Sequence, residues 1–525
     1  MSTTPWPPTS ASGISIRDAL RQLWGPLNPR ADTRQLLSWL IVAVTVAAAV
    51  VACGKPASPT AARPNWCPNI PDHTTDCGVV TRPLVEGSPE LGTIDVGYAL
   101  VRHSGKQSSA AGTIMPNPGG PGVPTLTYGT DVAALTKGIL ADYDVLLIDP
   151  RGTGASTPLD CGIDEHPFEV GTREYQRSAV AHCAGALGPK IPGYTSAATA
   201  DDFDAVREHL GIAKVIPYGS SYGTYLMTVY AQRHPERVQS IVLAGAYPLH
   251  FDPLQRPNAD AVDLTLHRIC DRSHACNGDV AVSDLRAVTS RLRVAPITVD
   301  HIVMTEGEFG NLVFEGATSD VGSDPDEMTP LGRLPAALHK AAQDDDADLR
   351  TVLADIATPA GNPDVDDLYV AVACNDYVTL WSPDANPATR ESEYHRALAA
   401  SGNLGSFSAE GFADAQHDGG DVCIRWPTIP HHQRPDQVSS PLPAAPVLVL
   451  SGDLDAITPD ANGILASRQF PRSTFVEVPN LGHTPDNEPS GCVAGIVETF
   501  LRTSTTESST ECLGHIPAIK VEAVQ

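Results

Sequence analysis

Between residues 112 and 248 four short apolar runs, "TIMPN", "DVLLID", "KVIPYG" and "SIVLAG", alternate with stretches of helical periodicity. This rhythm constrains the fold more than any other feature. Runs that do not alternate with polar residues are buried on both faces, and strand–helix–strand succession implies a mostly parallel sheet covered by helices. "ADDFDAVREHLGI" (200–212) sets Phe203, Val206 and Leu210 on one helical face, with Gly211 as the stop signal. "TYLMTVYAQRH" (224–234) reads as a second helix, ended by Pro235. From 250 to about 440 the rhythm gives way to helical stretches such as "MTPLGRLPAALHKAAQ" (328–343) and "ADLRTVLADIA" (347–357). "APVLVLSGDLDAITP" (445–459) and "TFVEVPNLGHT" (474–484) then restore strands. The expected architecture is α/β, one sheet flanked by helices and interrupted by a large, mainly helical cap. The core occupies 66–249 and 441–512, the cap 250–440 and a polar tail 513–525.

The strand–turn–helix around Ser221 carries the chemistry. Gly219-Ser220-Ser221-Tyr222-Gly223 has Gly-x-Ser-x-Gly spacing, with a strand before it and a helix after it. A sharp turn there strains the serine and lifts its Oγ above the sheet, while glycines on either side keep side chains from striking strand and helix. A nucleophilic serine needs a base and a group to orient that base. Asp455, in the loop after one strand, and His483, in the loop after the next, supply them in the order Ser…Asp…His. Asp453 is the nearest competitor for the acid role. An oxyanion needs backbone N–H donors, for which Tyr222 and Gly120 of "NPGGPG" are the candidates, since Pro121 has none to give. This arrangement needs no metal and no cofactor.

The first 53 residues point to export. Residues 36–52 form an uncharged apolar run preceded by Arg17, Arg21, Arg30 and Arg34, and the run ends in Val50-Val51-Ala52-Cys53, close to a lipoprotein cleavage box. Lipidation at Cys53, an uncleaved membrane segment and plain secretion all fit, and each leads to the cell envelope or beyond. Residues 54–65 are a Pro/Ala-rich tether. Ten cysteines remain after Cys53 is set aside, in the sequence-local couples Cys67/Cys77, Cys161/Cys183, Cys270/Cys276, Cys374/Cys423 and Cys492/Cys512. In an oxidising compartment they read as up to five disulfides, and the spacings of a zinc site are missing. The net charge of −27 repels polyanions and argues against nucleic acid as a partner.

Taken together, "NPGGPG", "DPRGTGAS", "TADDFDAVREHLG", "YGSSYGTYLMTVYAQRHPERV", "GDLDAITP" and "LGHT" resemble the α/β-hydrolase peptidases grouped with prolyl aminopeptidase. The likeness is strongest to the exported tripeptidyl-aminopeptidase branch of actinobacteria and covers about residues 66–512. It implies a serine exopeptidase that removes short N-terminal units from peptides under a helical cap, with Ser221, Asp455 and His483 in the roles already argued. The chain departs from the pattern at Val123-Pro124-Thr125 and at Ala244-Gly245, which bear on the substrate subsites. An aminopeptidase must hold a substrate ammonium, for which Asp376 in "CNDYV" and Glu308 are candidates, although Thr305 to Glu308 also fits a helix capping box. An esterase or lipase using the same triad, and a non-catalytic envelope binding protein on the same fold, are the rival readings.

Overall fold

The computed structural model describes residues 63–524 apart from 128–137, 164–167, 169–170, 358–365, 417–419 and 431. The apolar run at 36–52 and Cys53 lie outside the described residues. Among the described residues no helix is long and apolar enough to cross a membrane.

The strands in chain order are β1 (Thr75–Pro83), β2 (Thr93–Val101), β3 (Thr113–Asn117), β4 (Asp144–Ile148), β5 (Ile216–Ser220), β6 (Ile241–Ala244), β7 (Ile297–Val299), β8 (Ile302–Met304), β9 (Val447–Gly452) and β10 (Ser473–Val478). Eight of them form one sheet in the order β1-β2-β4-β3-β5-β6-β9-β10, while β7 and β8 make a separate hairpin. β1 pairs antiparallel with β2, and β2 antiparallel with β4; from β4 to β10 every pairing is parallel. The composition of β4 shows why these runs are apolar throughout. Val145 and Leu147 join the cluster on one face, and Leu146 and Ile148 join the cluster on the other. Successive side chains point to opposite faces, so a strand covered on both sides needs an apolar residue at every position. Burying each of these side chains stabilises the fold by about 1.5–3 kcal/mol.

One face is covered by α1 (Arg173–Leu187), α2 (Ser196–His209) and α3 (Tyr222–Arg233). The segment between β6 and β9 contributes α4 (Arg256–Ser273), α5 (Gly278–Val294), α6 (Glu306–Asn311), α7 (Pro330–Ala341), α8 (Ala347–Ile356), α9 (Asp366–Asp376), α10 (Pro387–Ser401) and α11 (Ala409–Asp414). α12 (Asp460–Arg468) follows β9, and α13 (Cys492–Thr503) packs Val493, Ile496, Val497 and Phe500 on the opposite face of the sheet. Side-chain caps start several of these helices: Thr172, Thr195, Asn277, Thr305, Thr329, Asn386 and Ser408 each accept a bond from a first-turn N–H.

The segment read as a polar tail is tied down. Glu522 N donates to Gly332 O at 2.9 Å, Val524 N to Ala275 O at 3.0 Å, and Lys520 bonds Asp326. Ile519 is buried. One apolar side chain and a few backbone bonds are enough to dock such a segment, and its composition alone gives no sign of that.

Candidate active site

Ser221 sits between the end of β5 and the first residue of α3 with φ 54° and ψ −130°. A non-glycine residue in this region is strained, and such strain concentrates at functional sites. The turn is closed on all sides. Ser221 N donates to Ala244 O of β6 at 3.0 Å. A Cβ at Gly219 would come 2.6 Å from Thr224 N, and one at Gly223 would come 2.9 Å from Asn117 Oδ1 and strike the Asn117 carbonyl of β3. The two adjacent serines are distinguished by their partners. Ser220 Oγ bonds Asp486 Oδ2 at 3.3 Å, whereas Ser221 occupies the strained apex of the turn.

The carboxylate and the imidazole arrive on neighbouring strands. Asp455 follows β9 and His483 follows β10, and His483 Nδ1 lies 3.0 Å from Asp455 Oδ2. Asp455 is itself held: Oδ1 accepts from Ile457 N at 2.7 Å and Thr458 N at 2.9 Å, and Oδ2 accepts from the Thr458 hydroxyl. His483 Nδ1 is also 3.0 Å from Thr458 Oγ1. With Nδ1–H directed at the carboxylate, the proton-accepting lone pair falls on Nε2. Burial works against protonation of His483, but the charges of Asp455, Glu315 and Asp486 and the bond to Asp455 outweigh it, so the pKa lies above the usual histidine value. A Cβ at Gly245, next to the Ala244 carbonyl that receives the Ser221 amide, would sit 2.6 Å from His483 O and 2.9 Å from Thr458 Oγ1. The Ser221 turn and the Asp455–His483 pair therefore share the end of β6.

The glycine loop passes directly over the Ser221 turn. A Cβ at Gly119 would be 2.9 Å from Ser221 Cβ and 3.3 Å from Tyr222 N, and Gly119, Gly120 and Gly122 all have φ above 100°. Gly119 N donates to Asn117 Oδ1 at 3.2 Å, which leaves the next amide, Gly120, as the loop's oxyanion candidate. Tyr222 N opens α3, at the positive end of the helix dipole.

A family profile described as "alpha/beta hydrolase fold" matches residues 113–266, and one described as "TAP-like protein" matches residues 409–512. The chain is 24% identical to a tripeptidyl aminopeptidase of Streptomyces lividans, over 84% of this chain and 83% of that one. It is also 24% identical to the serine protease Hip1 of Mycobacterium tuberculosis, over 91% of this chain and 97% of that one. Among solved structures, the proline iminopeptidase of Mycobacterium smegmatis aligns with 81% of this chain and 98% of its own, at 16% identity and a TM-score of 0.38. The chain has the α/β-hydrolase fold, and it resembles the tripeptidyl-aminopeptidase-like proteins.

In this serine hydrolase the two acidic candidates from the cap have different surroundings. Asp376 is fully buried at the end of α9, beside the nucleophile helix: Oδ2 accepts from Ser196 N at 2.6 Å, and Oδ1 is 3.2 Å from His432 Nε2. Ser196 Oγ is in turn 2.8 Å from the Tyr222 hydroxyl. Glu308 is half-buried in the first turn of α6, where its N–H caps on Thr305 Oγ1 at 3.1 Å. The cap carboxylate whose charge acts on His483 is Glu315, seven residues further on.

Three further residues beside the Asp455–His483 pair are not among the site residues read from the sequence. Thr458 stands three residues after Asp455, a spacing that local side-chain bonding to turns would have flagged. Asp486, three residues after His483, is buried against Tyr218 and Ser220, whose hydroxyls donate to Oδ2, and burial pushes its carboxyl above the usual range. Thr318 of the cap accepts from Ala456 N at 3.2 Å through its hydroxyl and from His483 N at 3.1 Å through its carbonyl. Disulfides join Cys67 to Cys77, Cys161 to Cys183, Cys270 to Cys276, Cys374 to Cys423 and Cys492 to Cys512.

Proposed function

We propose that this hydrolase is an exported serine exopeptidase that removes short N-terminal units from peptides. The observation that carries the reading is the strained Ser221 at a strand–helix turn whose neighbouring strand end abuts a bonded Asp455–His483 pair. The names of the relatives in Streptomyces and Mycobacterium support a peptide substrate. Ser221 Oγ attacks the scissile carbonyl while His483 Nε2 takes its proton, and the Tyr222 and Gly120 N–H groups hold the oxyanion. His483 then passes the proton to the leaving amine, and water repeats the sequence on the acyl-enzyme. Asp455 keeps the imidazole in the required tautomer and stabilises its protonated form. The cap, residues 250–440, forms the roof of the substrate site, with Asp376 and Glu308 as candidates for the substrate ammonium. Residues 1–53 bring the chain to the envelope, with Cys53 as the lipidation candidate.

The test is turnover by the purified full chain of N-terminally free peptides, N-blocked peptides and short acyl esters, beside Ser221→Ala. Loss of free-peptide turnover in the variant supports the exopeptidase. Turnover of esters alone would replace it with an esterase, and failure of a fluorophosphonate to label Ser221 would leave a binding protein. Export is read separately, from the cell fraction holding the chain and from the mass of its N-terminus in wild type and Cys53→Ala.

A further inference from the structure

We propose that Arg272, on the first helix of the cap, is a positioning residue that holds the acid and base loops in catalytic register. The inference rests on the Ser221–His483–Asp455 triad proposed above. α4 lies along the loop after β9 and satisfies its polar groups one after another. Near its start the buried Asn258 donates through Nδ2 to Ala456 O at 3.1 Å and Ile457 O at 2.6 Å, the two residues that follow Asp455. Arg268 bonds the Asp453 carbonyl and, at 2.8 Å, Asp460 Oδ2. Arg272, one turn further along the same face, bonds Asp453 Oδ2 with Nη2 and Asn480 Oδ1 with Nη1, the latter at 2.8 Å.

These two partners belong to different loops. Asp453 lies two residues before Asp455, and Asn480 three residues before His483. They also bond each other, Asn480 N donating to Asp453 Oδ1 at 2.7 Å. Asn480 holds a left-handed φ of 65°, a conformation that needs support in a non-glycine residue. Asp453 has no exposed side-chain surface, so its charge depends on Arg272 and Asn480. The planar guanidinium with its fork of donors can reach both loops at once, which a single point charge does less well. Asp453, the sequence's competitor for the acid role, thus belongs to the bracket that fixes the spacing of Asp455 and His483. The cap is consequently part of the frame of the triad as well as its roof.

Small misplacements of an acid–base pair lower the chemical rate without changing ground-state binding. In the full chain, Arg272→Met is expected to reduce kcat on a short acyl ester by about tenfold or more, with KM within about twofold of wild type and slower fluorophosphonate labelling of Ser221. Arg272→Lys should recover part of that rate, since an ammonium still reaches Asp453. Arg272→Met with Asp453→Asn removes the buried charge left unpaired by the single change. This double variant should regain most of the melting temperature while kcat stays low. Recovery of kcat together with the melting temperature would reduce Arg272 to a stabilising ion pair. A loss confined to KM would make it a substrate contact, and an unchanged kcat in Arg272→Met would also overturn the proposal. Failure of the triad itself reads out differently, as turnover that survives Ser221→Ala.

Discussion

At Ser221, the nucleophile proposed above, the backbone and the chemistry make the same demand. The φ of 54° that presents the hydroxyl is affordable only because Gly219, Gly223 and Gly119 let strand, helix and loop close in around it. Gly223→Ala should therefore damage the nucleophile turn itself, with loss of fluorophosphonate labelling as the measurement. His483 is surrounded by more negative charge than its partner alone supplies. Asp455 acts most strongly, then Glu315, then Asp486. A base must be neutral to accept a proton, so activity should rise with pH through a His483 pKa displaced upward. Replacing Asp486 by Asn removes one negative charge from beside the ring. Its acid limb in a kcat/KM profile should move to lower pH, because the imidazolium loses part of its stabilisation. Asp455→Asn should do far more damage, lowering kcat by about 10⁴-fold, because it also disturbs the tautomer. An acid limb that stays in place in Asp486→Asn would remove that carboxylate from the electrostatics of the site.

Among the elements, the loop after β4 and the glycine loop depend on each other. Asp149 accepts from Leu126 N and from Ala155 N, each at 2.7 Å, and burial raises its carboxyl to about 6 despite those donors. It ties "DPRGTGAS" to the segment that runs on from the glycine loop. Asp149→Ala leaves the buried Leu126 N–H and the half-buried Ala155 N–H without partners and should cost about 1–3 kcal/mol of stability. Thermal or denaturant unfolding measures that cost. A fall in kcat beyond the stability loss would show that the glycine loop had moved with it. Asp149 also carries a pH signature with a defined sign. Its folded value lies above the unfolded carboxylate value of 3.8, so the folded state binds the extra proton. Its contribution to stability is present below that unfolded value and is lost as the pH rises through about 6.

Across the whole molecule, covalent and backbone ties secure the cap. Cys374–Cys423 closes a separation of 49 residues and Cys270–Cys276 one of 6. By loop-closure entropy their removal should cost about 4 and about 2 kcal/mol respectively. Paired Cys→Ser variants compared by denaturant unfolding test that ranking, and equal losses would speak against an entropic origin. The C-terminal segment is the second tie. Asn480 Nδ2 donates to Ile516 O at 3.0 Å, and Glu522 and Val524 then bond Gly332 and Ala275 at the cap helices. The chain thus runs from beside the histidine loop out to the cap. Deleting residues 516–525 should lower the melting temperature, and Gly332→Ala should weaken the same contact, since a Cβ there would strike the Lys520 carbonyl.

Much of the hydrolase core was legible in order along the chain. Uninterrupted apolar strands, helices with one apolar face, and a serine between glycines at a strand–helix junction are local patterns, and local sterics and burial fix what they become. The placement of Ser221, Asp455 and His483 each after its own strand was legible for the same reason. The edge strand β1 escaped notice because a half-exposed strand lacks that continuous apolar signature. Asp486, Thr318 and the Arg272–Asp453–Asn480 bracket also escaped. Their meaning lies in pairings across up to about 270 residues of chain, and no period or motif records which distant side chain a buried charge will meet. Sequence pattern fixes what a segment can form. The partner of a buried polar group is set only when the chain packs, because desolvation there leaves it no water to accept in place of a particular neighbour.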